Sequence, residues 1–276
     1  MSSAVLGLAT LAGAQVLMLN FRNTGGPSSG NLTNSPYNTE NPGFADTTWN
    51  NVSNSDVGSG LFWADGTAAT GIGFDLGVAN LDVSTVVDLS TAVGSANNLG
   101  TIVNTGIYAG DSIATGGIFN GSTTDRFELG LQVTGLTAGT YEVYVTGRNT
   151  NANNSATLPY TYYASGGVSG ANFDFADYDS ASVSFSGSTD ATAAWVEAGN
   201  ADANYGKFIV SISAGEALNI VSNGDGGQGT GGSPVGTANR GFLNSVQIVA
   251  VPEPGTWALM FGIAVFVCVV IRRKLA

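Results

Sequence analysis

The chain has 276 residues, of which 43% are hydrophobic, only 10% are charged and 40 are glycine. The hydrophobic share is large enough for a buried core, so the body is expected to fold rather than to be intrinsically disordered. Histidine is absent and cysteine occurs once, which argues against zinc sites, histidine-based triads and an intrachain disulfide. Residues 15–251 contain 19 acidic and 5 basic residues, so no nucleic-acid partner is expected.

The first predicted element is a signal peptide over residues 1–14. An apolar stretch ends in Ala12-Gly13-Ala14, a small-x-small pattern typical of cleavage sites, so the mature chain is expected to begin at Gln15. The stretch is short and no basic residue precedes it. We interpret the leader as truncated by a mis-assigned start codon. The alternative is an ordinary first strand or helix.

The body, residues 15–250, is predicted to be all-β. Short segments in which apolar and polar residues alternate are separated by glycine-rich turns, and none has a sustained helical period. The main strand-like segments are QVLMLNF, RFELGLQV, TYEVYV, YTYYASGGV, ASVSFSGS, AAWVEAG, KFIVSISAG, EALNIVSNG and GFLNSVQIVAV. This series predicts one antiparallel β-sandwich, of jelly-roll type. No internal repeat or linker divides it.

The clearest local pattern is RFELGLQVTGLTAGTYEVYVTGRN. In its first arm, apolar residues such as Leu131 alternate with Glu128 and Gln132. The second arm repeats the alternation, with Glu142 on the polar side. The pattern predicts a β-hairpin around LTAGT with one buried and one solvent-exposed face. A similar pair, KFIVSISAG and EALNIVSNG, is predicted to turn at Ala214-Gly215.

The last 26 residues, 251–276, form a separate segment because Pro252 and Pro254 interrupt any strand or helix arriving from the body. The uncharged run Trp257–Ile271 predicts one short transmembrane helix of roughly 22 Å, against a hydrocarbon core of roughly 30 Å. A basic tip follows the helix: Arg272, Arg273 and Lys274. The basic tip orients the helix with its C-terminus in the cytoplasm and the body outside.

Val251-Pro252-Glu253-Pro254, the short helix and the basic tip together resemble the PEP-CTERM sorting signal of Gram-negative bacteria. The resemblance implies a partner, a membrane-embedded exosortase that cuts near the Pro-Glu-Pro. Pro252, Glu253 and Pro254 would be its recognition element, and Arg272, Arg273 and Lys274 the stop-transfer tip. The resemblance further implies transient insertion in the inner membrane, then release to the cell envelope or to a matrix containing exopolysaccharide. The alternative is a plain single-span anchor.

An acidic segment, FDFADYDS, is the candidate calcium site. It brings Asp174, Asp177 and Asp179 close together in the chain, and Ca²⁺ prefers several carboxylate and carbonyl oxygens. The spacing is not that of an EF-hand, so a solvated acidic loop is the favoured interpretation. No other cofactor is expected.

Aromatic side chains are the candidate glycan contacts, because a flat ring can stack on the apolar face of a sugar. Packing within the core or between strands is the favoured alternative for each of them. The candidates are Trp49, Trp63, Tyr160, Tyr162, Tyr163 and Trp195.

Two glycine-rich motifs are interpreted as loops. GDGGQG fits a dinucleotide fingerprint, but the residues after it cannot begin a helix. GPSSG fits a nucleophile elbow, but the chain has no histidine to serve the serine. A pair of carboxylates for glycoside hydrolysis is recognised by the distance between them, which a sequence does not give, and few glutamates are available.

The predicted function is that of an exported surface or matrix protein with a structural or adhesive, non-enzymatic body. A carbohydrate-binding module is the main alternative, and a secreted glycan-active hydrolase is a less favoured one. Tails of this type are also known as ice-binding protein C-terminal domains. Ice-binding faces need regular arrays such as Thr-x-Thr, which this sequence lacks, so ice binding is disfavoured.

Overall fold

The computed structural model describes residues 15–22, 26–28, 34–80, 85–98, 107, 113, 116–119, 127–147, 157–186, 194–224 and 241–252. Within these ranges the chain is almost entirely β-structure, with one short helix, α1 (Pro36–Glu40). The strands are β1 (Val16–Phe21), β2 (Gly26–Ser28), β3 (Trp49–Val52), β4 (Gly73–Asn80), β5 (Val86–Asp88), β6 (Ser95–Asn98), β7 (Gly116–Phe119), β8 (Phe127–Thr134), β9 (Gly139–Thr146), β10 (Thr157–Val168), β11 (Phe173–Asp174), β12 (Asp179–Ser186), β13 (Gly206–Ile212), β14 (Glu216–Asn223), β15 (Phe242–Leu243) and β16 (Ser245–Val251). The predicted all-β class of the body is confirmed.

The strands form two large sheets and one small sheet. The six-stranded sheet has the order β13-β9-β16-β1-β3-β2, and the seven-stranded sheet has the order β11-β5-β4-β8-β14-β10-β12. A three-stranded sheet has the order β15-β7-β6. Neighbouring strands are antiparallel except for β1 and β3, which run parallel. The predicted antiparallel arrangement is therefore confirmed.

One apolar core joins the two large sheets. Leu19 and Ile248 of the six-stranded sheet belong to the same buried cluster as Leu131 and Ile220 of the seven-stranded sheet. These four side chains are at most 1% exposed. Burying a side chain of this size stabilises the fold by about 1.5–3 kcal/mol, so the alternating apolar residues provide the main force that holds the two sheets together.

The predicted hairpin around LTAGT is wrong. Its first arm is β8, which pairs with β4 and β14, whereas its second arm is β9, which pairs with β13 and β16. The turn at residues 135–138 is therefore an arch that carries the chain from one sheet to the other. Gly135 has a φ of +81°, and a Cβ there would collide with the carbonyl oxygen of Gly71.

The second predicted pair has the same outcome, because β13 and β14 also belong to different sheets. Alternation shows that a segment is a strand with one face on the core. It does not show whether the next strand lies beside it or across the core, because both arrangements bury alternate residues.

The predicted solvent-exposed face of this segment is also wrong. Gln132 is fully buried, and Glu128 and Tyr144 are at most 4% exposed. Gln132 donates to the carbonyl oxygens of Val168 and Ala171, so the turn after β10 covers it. The helix α1 covers Tyr144 on the other sheet. The outer faces of the two large sheets are therefore partly covered by the segments that connect the strands.

The described part of AAWVEAG, residues 194–199, forms no strand apart from a single bridge between Glu197 and Tyr205. The predicted strand there is wrong. Trp195 is instead buried in a second apolar cluster, with Tyr37, Trp49 and Tyr144, on the outer face of the six-stranded sheet. The remaining predicted strands are found as β1, β10, β12, β13, β14 and the pair β15 and β16.

Candidate functional site

The first site is the junction between the body and the C-terminal tail. β16 lies between β9 and β1, and its last rung joins Val251 to Thr140 of β9. On the other side the N–H of Ala250 donates to the carbonyl oxygen of Gln15 over 2.9 Å. Pro252 has no N–H and cannot continue the ladder. The sheet therefore extends to the residue immediately before the Pro-Glu-Pro sequence.

Both ends of the body emerge at the same place. Because β1 and β16 are antiparallel, Gln15 at the start of β1 lies beside the end of β16. The register of β13 and β9 brings Ile212 and Gly139 to this end as well. We name this the tail end of the body. The opposite, distal end carries the rung between Thr146 and Ser245.

A second site lies on the outer face of the six-stranded sheet, where α1 is fastened. The helix begins at Pro36, and the side chain of Ser35 caps it by accepting from the N–H of Asn38. Gln247 of β16 accepts from the N–H of Tyr37 at 3.1 Å and donates to the Ser35 hydroxyl at 3.0 Å. These bonds hold the start of the helix on β16.

Glu40 is the centre of a polar cluster. Lys207 Nζ lies 2.6 Å from Glu40 Oε2, and the Tyr205 hydroxyl donates to Oε1 at 2.7 Å. The Tyr144 hydroxyl lies 3.0 Å from Glu40 Oε2 and 2.9 Å from Glu142 Oε2. Lys207 also reaches Glu142 at 3.5 Å. We name Glu40, Glu142, Tyr144, Tyr205 and Lys207 the Glu40 cluster.

At neutral pH Glu40 and Lys207 are charged, and the hydroxyls of Tyr144 and Tyr205 are protonated. Burial works to raise the pKa of Glu40, but hydrogen bonds from Lys207, Tyr205 and Tyr144 outweigh it and hold that pKa below its usual value. Burial and the neighbouring carboxylates raise the pKa of Tyr144 and of Tyr205, so both hydroxyls stay protonated. Lys207 is partly buried, which lowers its pKa, yet its contact with Glu40 leaves that pKa raised. Such a cluster fastens α1 to the sheet.

Sequence reasoning did not identify the Glu40 cluster. Its members come from three separate segments, and Glu40 and Lys207 are 167 residues apart. The one signal available was the scarcity of basic residues, because a lone lysine in an acidic body is a natural partner for carboxylates.

Three predicted glycan contacts are buried and cannot serve as exposed platforms. Trp49 and Tyr162 are fully buried, and Trp195 is 5% exposed. Trp49 and Trp195 pack under α1 in the second cluster, and the Trp195 ring N–H donates to Asn34. The Tyr162 hydroxyl bonds the backbone of Gly147 inside the main core. Their size and apolar rings place them in the interior.

The other aromatic candidates differ in exposure. Tyr160 is fully buried in the main core. Tyr163 is half-buried, and its ring centroid lies 5.0 Å from that of Phe175. Trp63 is half-buried and packs against the main core from a turn beside β1. Of the three tryptophans named as candidates from the sequence, Trp63 is therefore the one that keeps part of its surface in solvent.

The three candidate calcium ligands are exposed and do not converge. Asp174 accepts from the N–H of Ala176 at 3.0 Å, and hydrogen bonds from Thr85 and Ala176 lower the pKa of Asp174. Asp177 and Asp179 are exposed as well. Over the described residues, no group of three or more His, Cys, Asp or Glu side chains is arranged to hold a metal ion. Calcium binding by the chain stays a prediction, which chelator-dependent melting would test.

Most of the sorting-signal residues lie outside the described ranges. Pro252 is described and exposed. The residues outside are Glu253, Pro254, Arg272, Arg273 and Lys274, together with the predicted signal peptide, the predicted span Trp257–Ile271 and most of GDGGQG. Across the ranges given above, no helix has the length and apolar character needed to cross a membrane. Gly26–Ser28 of GPSSG forms strand β2.

Comparison with solved structures gives one distant similarity. An isomalto-dextranase of Arthrobacter globiformis T6, complexed with panose, aligns with 18% identity and a TM-score of 0.24. The alignment covers 49% of this chain and 18% of the enzyme, so it spans a small part of that protein. No curated protein matches the chain.

The C-terminal signal has a direct match. Residues 250–274 match the PEP-CTERM protein-sorting motif. The motif begins at Ala250, inside β16, and continues through the basic tip. It is the substrate signal of exosortase-type systems and implies export, membrane-anchored sorting and delivery to the cell surface. The chain therefore carries a PEP-CTERM protein-sorting signal at residues 250–274.

Proposed function

We propose that this protein is a structural or adhesive component of the cell surface or of the surrounding exopolysaccharide matrix, with a jelly-roll body and no catalytic activity. The observation that carries the proposal is the direct attachment of a compact β-body to a PEP-CTERM motif, with no spacer between β16 and Pro252. Such a chain delivers one folded module to the surface.

The order of the strands supports a jelly roll. Without the strands added at the edges, the six-stranded sheet is β1-β16-β9-β13 and the seven-stranded sheet is β8-β14-β10-β12. The first strand lies beside the last. Successive strands of this set pass from one sheet to the other, except for β10 and β12, which are neighbours in one sheet, and this is the order of two Greek keys. Modules of this kind commonly bind ligands or partners through their loops and sheet faces.

The Glu40 cluster is better suited to a structural role than to acid catalysis. Glu40 and Glu142 both contact the Tyr144 hydroxyl and Lys207. A general acid at neutral pH needs a raised pKa, whereas the pKa of Glu40 is lowered. The pair is therefore suited to an ion-pair network that holds α1 in place.

The test of the proposal combines location and adhesion. In cells that contain an exosortase, the full chain is expected in the surface or matrix fraction, and a chain ending at Ala250 is expected outside it. The product that remains after processing of the full chain should stay with exopolysaccharide-bearing cells and leave them when the polysaccharide is digested. Equal fractionation of both chains would overturn the sorting role, and turnover of a polysaccharide panel would overturn the non-enzymatic role.

A carbohydrate-binding module is the second candidate, and one observation favours it. Trp63 is half-buried beside β1, and a sugar could stack on its ring if the ring provides the exposed part of the residue. Affinity electrophoresis through neutral and acidic polysaccharides tests this role. Retardation that disappears in Trp63→Ala supports it, and unchanged mobility in every gel overturns it.

A further inference from the structure

The end of β16 is part of both the six-stranded sheet and the sorting motif. Ala250 and Val251 are strand residues, paired with Tyr141 and Thr140 of β9. The same two residues are the first residues of the matched sorting motif. A segment cannot lie in the sheet and in the cleft of another protein at the same time, because both use the same backbone groups.

The body also stands very close to the signal. From Val251 to Pro254 there are three peptide units, which span roughly 10 Å when extended. A body of this size has a radius well beyond that distance. An enzyme that grips the Pro-Glu-Pro therefore meets the tail end of the body, including Gln15 and Thr140, unless the strand end moves away.

The last two residues are the weakest part of the strand. Val251 is 37% exposed and Ala250 is half-buried. Val249, one residue earlier, is 4% exposed, pairs with both Glu142 and Val16, and belongs to the second apolar cluster. Opening at Ala250 and Val251 breaks their pairing with Gln15, Tyr141 and Thr140 and the contact of one small side chain, that of Ala250, with the main core. Opening at Val249 would in addition expose a larger, almost fully buried side chain of the second apolar cluster.

From these observations, and on the basis of exosortase sorting, we infer that the exosortase takes its substrate by drawing Ala250 and Val251 out of the six-stranded sheet. Val249 and the rest of β16 stay in place. The interaction surface on this protein is thus the released strand end together with Pro252. The rate of processing follows the population of the opened strand end, as expected when opening and closing are faster than cleavage.

A cross-strand disulfide tests the inference. The variant Thr140→Cys/Val251→Cys would lock the last rung of β16 to β9, and Thr146→Cys/Ser245→Cys would lock the same two strands at the distal end. Both are made in the full chain with Cys268→Ser, so that the tail thiol cannot interfere. Processing is followed in exosortase-containing cells by the shift from precursor to product, with and without reductant.

We expect the oxidised tail-end variant to be processed at least about tenfold more slowly than the distal variant, because only the first crosslink prevents opening. Reductant should restore its rate, which shows that the chain is folded and recognised. Equal rates for the two oxidised variants, with both crosslinks verified by mass spectrometry, would overturn the inference.

A second variant separates steric access from damage to the signal. A short Gly-Ser linker followed by a repeated Ala-Val is inserted after Val251, so that the sheet and the motif each have their own copy. Processing of this chain should no longer respond to the tail-end crosslink, and continued slowing would contradict the inference. If the unmodified chain is never cut in the same cells, the sorting function itself fails, and this inference fails with it.

Discussion

Lys207 and Glu40 form an ion pair with an Nζ–Oε2 distance of 2.6 Å, and it ties α1 to the edge strand β13. Their side chains are 20% and 26% exposed, so water screens the pair only partly. Lys207 also lies 5.1 Å from the centroid of the Tyr144 ring and 3.5 Å from Glu142. One cation therefore balances two carboxylates and an aromatic face.

Replacing Lys207 with Met should lower the free energy of unfolding by about 1–2 kcal/mol, because Glu40 and Glu142 then face each other without a cation. Met keeps the aliphatic stem, so the change isolates the charge. Urea unfolding measures the effect. The matched control is Ile209→Ala on the same strand, which is 59% exposed and should change stability by less than about 0.5 kcal/mol. Equal losses in the two variants would contradict the structural role of the cluster.

The Glu40 cluster should make stability depend on acid. The pKa of Glu40 is lower in the folded state than in the unfolded chain, where a glutamate titrates near about 4.3. Its contribution is therefore complete above the unfolded pKa and is lost as pH falls through the folded pKa. Melting temperatures measured from pH 7 down to pH 3 should fall less steeply in Glu40→Gln than in the unmodified protein. Parallel curves for the two proteins would show that the pKa of Glu40 is the same in the folded and the unfolded chain, which would contradict the prediction.

Two tryptophans should behave differently when truncated. Trp49→Ala removes a fully buried ring and should cost about 3–5 kcal/mol, because a cavity remains under α1. Trp63→Ala removes a half-buried ring and should cost less, about 1–2 kcal/mol. Denaturant titration provides both values. If the Trp63 variant loses as much as the Trp49 variant, its ring is a core element and not a surface available to sugars.

The arch between β8 and β9 predicts a contrast between two glycines. Gly135→Ala combines a φ of +81° with a collision against the Gly71 backbone and should cost about 3 kcal/mol. Gly215→Ala has a φ of +84° but open space around it, so only the backbone strain of about 1 kcal/mol is expected. Thermal unfolding of the two variants measures the difference. Similar losses would mean that the arch does not pack tightly against residue 71.

The positions of the strands were largely predictable from the sequence, and their partners were not. Leu131 and Val143 alternate with polar neighbours in both a hairpin and an arch, and the structure places them on opposite sheets facing one core. Gln132 looked solvent-exposed for the same reason. It is buried because the turn at Val168 and Ala171 folds back over it, which is a contact between residues more than thirty positions apart.

For the candidate sites, too, the residue types could be read from the sequence but their surroundings could not. A tryptophan such as Trp49 has identical local signals in a core and on a sugar-binding face, and burial is settled only when distant segments meet. The Glu40 cluster forms only when α1, β9 and the start of β13 come together, and no local sequence pattern indicates that contact.

Sequence alone was enough to predict the β-rich character of the body, the lack of histidine chemistry and the sorting tail, since each depends on composition or on residues contiguous in the chain. The tertiary structure decided which strands pair, which aromatic rings are buried and how Lys207 meets Glu40. It also decided that the signal starts within β16, so that Ala250 and Val251 serve both the sheet and the tail. These features depend on long-range pairing, and the free energy of that pairing comes from contacts between segments far apart in the chain.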